Sequence, residues 1–109
     1  MNNQKTVLRD FIVKCLEEKK AENINSMKLE GEVPLADYVI FASGRSTKNI
    51  QSIGEYIALQ LKHELKCNAA VEGLKGSDWI LVDAGDVIVH LFHPEAREQL
   101  KLEEFLTKK

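Results

Sequence analysis

Apolar positions change period along the chain, and each change marks an element. Val7, Leu8, Phe11, Ile12, Cys15 and Leu16 recur at helical spacing while Lys14, Glu17, Glu18 and Lys19 fill the other side, which predicts an amphipathic helix over residues 4–21. Residues 24–29 form a short strand candidate closed by the polar turn Glu30-Gly31-Glu32. Pro34 and Asp37 precede Tyr38-Val39-Ile40-Phe41-Ala42, a run of strand formers too short for a helix. Apolar residues on both of its faces require cover on both, so the run predicts a central strand. Gly44-Arg45-Ser46-Thr47-Lys48 ends it, with Ser46 or Thr47 placed to cap a second helix whose inner stripe is Ile50, Ile53, Ile57 and Leu61. Gly54 in that helix costs about 1 kcal/mol relative to alanine, which points to close approach of another backbone.

Residues 67–72 predict a third strand and 73–77 a loop. The run DWILVDAGDVIVHLF over residues 78–92 then reads as a hairpin, and Pro94-Glu95-Ala96-Arg97 as the first turn of a terminal helix carrying Leu100, Leu102, Phe105 and Leu106. Helix, two strands, helix, three strands, helix is an α/β order. It predicts a mixed sheet of about five strands, combining a helix-bridged parallel pair with an antiparallel hairpin.

With Ala84-Gly85 as a two-residue loop, Asp83 faces Asp86, Leu81 faces Ile88 and Trp79 faces His90. Alternation then puts Ile80, Val82, Val87, Val89 and Leu91 on an aliphatic face that belongs in the core. The other face mixes Trp79, Leu81, Asp83, Asp86, Ile88, His90 and Phe92. Opposed carboxylates destabilise a hairpin unless they accept turn amides, hold a cation between them or are separated by a bulge. Capping of the turn is the favoured reading.

At 109 residues the chain predicts one domain over residues 1–109. With 44% apolar and 29% charged residues it reads as a folded globular protein, and a net charge of −2 offers no electrostatic footprint for bare nucleic acid. No apolar run is long enough for a bilayer, and Met1-Asn2-Asn3-Gln4-Lys5 lacks the apolar core of a signal peptide. The expected compartment is the cytoplasm, where Cys15 and Cys67 are expected to be free thiols.

Candidate chemistry is thin. A metal site from Asp83, Asp86, His90 and His93 fails on distance, because four residues of strand separate Asp86 from His90 by more than about 10 Å. No serine, cysteine or lysine is paired with a base, so no catalytic site, cofactor or metal is predicted. Gly44-Arg45-Ser46 resembles the Gly-Ser turn of nucleotidyltransferases but lacks the carboxylate pair, one residue apart on the next strand, that holds Mg²⁺. Residual nucleotide binding at Gly44 to Lys48 and Asp83/Asp86 is therefore the alternative reading.

Five blocks in order carry more information than any single motif. Lys20-Ala21-Glu22-Asn23-Ile24; Ala36-Asp37-Tyr38-Val39-Ile40 running into Ala42-Ser43-Gly44-Arg45-Ser46; Val71-Glu72-Gly73; Trp79 through Phe92; and Arg97 closely resemble the ribosomal silencing factor, or iojap-like, family. The resemblance implies a mixed sheet flanked by helices, distantly nucleotidyltransferase-like, with no catalysis. It implies binding to the large ribosomal subunit through its fourteenth protein, and a steric block on joining of the small subunit. That block would silence translation when nutrients are scarce, beside a role in large-subunit biogenesis. The contact residues expected here are Trp79, Leu81, Asp83, Asp86, Ile88 and His90, an inference from their shared face. The same face is a candidate for homodimerisation of the unbound protein. After Arg97 the family's paired aromatics are missing, with Gln99 and Leu100 in their place.

Overall fold

The computed structural model describes residues 4–29, 37–74, 78–95 and 97. Helix α1 (Gln4–Glu18) leads into β1 (Glu22–Lys28) and β2 (Tyr38–Ser43), then α2 (Thr47–Leu65), β3 (Ala70–Leu74), β4 (Trp79–Asp83) and β5 (Val87–Phe92). The five strands form one sheet in the order β1-β2-β5-β4-β3. β2 and β5 run parallel, and every other neighbouring pair is antiparallel. The expected α/β class and mixed sheet are present. The parallel partner of β2 is β5, reached through α2, β3 and β4 rather than by a helix alone.

Amphipathic spacing decides how the layers meet. Leu8, Ile12, Cys15 and Leu16 of α1 and Ile50, Ile53, Ile57 and Leu61 of α2 are buried in one cluster with Ile40, Ala42, Ile80, Val82, Val87, Val89 and Leu91 of the sheet. Each fully buried Ile or Leu contributes about 1.5–3 kcal/mol, so the aliphatic face is the main source of stability. Gly54 lets α2 settle on β4: a Cβ there would stand 3.2 Å from Ile80 Cγ2 and 3.5 Å from Val71 Cγ1 and Val82 Cγ2. Its close neighbours are thus β-branched side chains, and the backbone contact expected from the sequence is corrected.

Cap chemistry sets the helix ends. Ser46, in extended conformation, accepts from Asn49 N at 3.0 Å and starts α2. Both helices end on a lysine in the left-handed region, Lys20 at φ 59° and Lys66 at φ 55°. At Lys66 the next amide, Cys67 N, donates to Leu61 O at 3.0 Å. Cys15 is buried and Cys67 half-buried, both as free thiols. Burial pushes the Cys15 thiol up to about 11 and Cys67 upward as well, so neither is an activated nucleophile. Of the expected terminal helix, Pro94, Glu95 and Arg97 are helical. The apolar positions 100–106 lie outside the described residues.

Candidate functional site

The face of the sheet opposite the two-helix cluster is built from rings. Along β2 the alternation puts Val39, Phe41 and Ser43 on that face, and the parallel register sets Val39 beside Ile88, Phe41 beside His90 and Ser43 beside Phe92. β4 adds Leu81 opposite His90 and Trp79 opposite Phe92 from the other side. Four rings consequently cluster: Phe41 stacks on His90 at 5.1 Å between centroids, Trp79 on Phe92 at 5.5 Å, and His90 on Phe92 at 6.0 Å. Phe41 and Phe92 are buried at 0% and 1% exposure, whereas Trp79, Leu81, Ile88 and His90 stay partly exposed. Buried rings hold half-exposed ones in place.

One polar bond fixes this cluster. Trp79 Nε1 donates to His90 Nδ1 at 2.9 Å. Because Nδ1 accepts, a neutral His90 carries its proton on Nε2. Desolvation among the rings pushes the imidazole down to about 4, so it is neutral at physiological pH. The indole is locked in turn, since a rotation of either ring breaks the bond.

The acidic residues separate by role. The turn of the hairpin is Gly85-Asp86, with Ala84 N donating to Val87 O, so Asp83 faces Ile88 instead of Asp86. The expected Ala84-Gly85 turn is corrected by two residues along the ladder. A two-residue shift preserves every face, which is why Trp79, Leu81, Ile88 and His90 still come together. Gly85 takes φ +87°, and Asp86 N returns to Ala84 O at 3.2 Å; the turn needs its positive φ at a glycine. Asp83 Oδ1 accepts from Gly85 N at 2.9 Å, the capping role favoured above. Asp86 belongs to the exposed turn, and its carbonyl receives the amides of Asp37 and Tyr38 at the start of β2.

That placement undoes the nucleotide-site alternative. Gly44 N donates to Phe92 O at the far end of β2. Six residues of strand, about 20 Å at the usual rise, therefore separate the Gly44 turn from Asp86. The turn's own groups are engaged locally: Asn49 Oδ1 accepts from Arg45 N at 3.0 Å and Ser46 caps α2. Among the described residues no three His, Cys, Asp or Glu side chains converge for a metal.

Two features of the face escaped the sequence reading. Phe41 belongs to the ring cluster, which becomes visible only once β2 is known to lie beside β5. Arg97 Nη1 donates to Ser43 Oγ at 2.8 Å, tying the segment after β5 to the end of β2. Ser43 is the buried polar residue at that junction. The exposed Glu72 of β3 stands opposite Leu81 and borders the face.

Comparison with known proteins gives this arrangement a family. The family model described as "Ribosomal silencing factor during starvation" matches residues 2–109. Two bacterial proteins named ribosomal silencing factor are each 36% identical. The one from Zymomonas mobilis aligns over 89% of this chain and 73% of its own length, and the one from Bacillus subtilis over 94% and 86%. A mouse protein named mitochondrial assembly of ribosomal large subunit protein 1 is 33% identical over 90% of this chain, which spans 44% of that longer relative. A crystal structure of a protein from Chromobacterium violaceum superposes with a TM-score of 0.88 at 25% identity, covering 97% of this chain and 88% of the other. The chain belongs to the ribosomal silencing factor family.

Proposed function

We propose that the protein is a single-domain, non-catalytic ribosomal silencing factor that acts in the cytoplasm. It binds the large ribosomal subunit through that subunit's fourteenth protein, on the surface that meets the small subunit. Occupancy of that surface blocks subunit joining sterically and represses translation when nutrients are limiting, with a further role in large-subunit biogenesis. Family membership supports the ribosomal role, and the name of the mouse relative, a large-subunit assembly protein, supports the large subunit as the target.

The observation that carries the reading is the locked Trp79–His90 pair. Half-exposed Trp79 and His90, flanked by Leu81 and Ile88 and backed by the buried Phe41 and Phe92, form a rigid apolar anchor. Such a pre-organised ring loses little entropy on binding, and exposed acidic groups at Asp83, Asp86 and Glu72 give it a polar border. The experiment is co-sedimentation with purified large subunits. Wild type is expected to comigrate with them, and Trp79→Ala to bind more weakly by about 2 kcal/mol or more. Unchanged affinity in a folded Trp79→Ala variant moves the interface off this face.

A further inference from the structure

The four-ring cluster keeps one hydrogen-bonding atom for a partner. Trp79 turns its Nε1–H onto His90 Nδ1 at 2.9 Å, and the rings of Phe41 and Phe92 have no donor to offer. The neutral imidazole therefore holds its proton on Nε2. Nε2 makes no bond to the described residues, and among them no buried side-chain nitrogen or oxygen is left unbonded. The Nε2–H consequently reaches the surface, amid rings and the aliphatic Leu81 and Ile88. A donor framed in this way has to be paired when the face is covered, because an unpaired buried N–H costs more than a bond gains.

The border of the face decides the acceptor. Glu72 lies in the row of His90, beyond Leu81, and Asp83 lies beside Ile88; both carboxylates are exposed. Arg97, at the other end of the face, turns its guanidinium onto Ser43 Oγ. The carboxylates repel a phosphate or a second carboxylate and leave a neutral oxygen as the matching group. Trp79, Leu81 and Ile88 around the donor suit a peptide group set between apolar side chains.

We infer that His90 Nε2–H donates to a peptide carbonyl oxygen of the large-subunit protein that covers the ring face. This rests on the ribosomal role proposed above and gives it a specificity-determining residue. Trp79 then has two tasks: it fills the centre of the contact and, by occupying Nδ1, fixes the tautomer that points the proton outward. A surface with no acceptor at that point strands the donor and is rejected.

Two measurements test it. Nitrogen-15 NMR of the free protein at neutral pH is expected to show His90 protonated on Nε2; a proton on Nδ1 overturns the inference before any partner is added. Binding to purified large subunits, and to the isolated fourteenth protein, is then compared for three variants whose melts confirm folding. His90→Asn keeps an acceptor near Nδ1 and drops the outward donor, so the locked indole N–H resonance should persist while affinity falls roughly five- to tenfold. His90→Gln keeps a donor near Nε2 and should bind more tightly than His90→Phe, which has neither group. Wild-type affinity in His90→Asn, or equal affinities in His90→Gln and His90→Phe, contradicts the assignment. A loss seen with subunits but not with the isolated protein gives the acceptor to RNA and contradicts it too. Wild type that fails to bind large subunits removes the ribosomal role itself; wild type that binds, with Trp79→Ala weakened and His90→Asn unchanged, removes only the carbonyl contact.

Discussion

His90 concentrates the physical chemistry of the site. Its imidazole is held down to about 4 by desolvation, below the value near 6.5 that it has in an unfolded chain. As pH falls through 6.5, the unfolded state takes up the proton and the native state does not. The associated stability is therefore full above pH 6.5 and is lost progressively between about 6.5 and 4, by on the order of 3 kcal/mol in all. Urea unfolding from pH 7.5 to 4 checks this: wild type should lose more stability over that window than His90→Gln does. Equal pH dependence in the two proteins contradicts the assignment. Gly44 makes a steric claim of the same kind. A Cβ there would stand 2.5 Å from Ile50 Cγ2 and 2.7 Å from Asn49 Oδ1, the atom that accepts from Arg45 N. Gly44→Ala is expected to destabilise by about 1–3 kcal/mol in thermal or urea melts. At this scale the sequence was legible where a residue acts through its neighbours in the chain. Ser46 capped α2 as its position suggested, and Asp83 capped the hairpin turn. It was opaque for Phe41, whose partners lie about fifty positions away on β5.

Elements show what periodicity can and cannot transmit. The inner stripe of α2 was readable because Ile50, Ile53, Ile57 and Leu61 repeat at helical spacing whatever they pack on. The hairpin faces were equally readable, because alternation survives a two-residue error in the turn. The turn itself was misread: Gly85 occupies its first position, and the pairing then moves Asp86 out of the ladder. Strand order was not legible at all. Nothing in β2 announces β5 as its parallel neighbour, since any apolar strand with matching width could sit there. Helix termini offer a test independent of function. Lys66 holds φ 55° at the end of α2, a conformation that costs a side chain and suits glycine. Lys66→Gly is expected to raise stability by about 0.5–1 kcal/mol, read as a higher urea midpoint with an unchanged slope.

Across the whole molecule the sheet divides labour between its faces. One is aliphatic and sealed by two helices. The other presents rings whose buried members, Phe41 and Phe92, keep Trp79 and His90 in a fixed pose. Among the described residues no helix is long and apolar enough to cross a membrane. The order of five separated blocks carried the family, and the full-length match bears it out. What that order left unread was whether Trp79 and His90 turned outward or inward. They bond to one another and stay partly exposed, so the pair locks the ring cluster and also reaches the surface.

Subunit joining tests the central claim most directly. Purified large and small subunits are mixed with increasing amounts of the protein, and whole-ribosome formation is followed by light scattering and by gradient sedimentation. Joining is expected to fall to a low plateau as the large subunit saturates, and Trp79→Ala to shift this curve to concentrations roughly thirty-fold higher or more. Undiminished joining at saturating protein would contradict it.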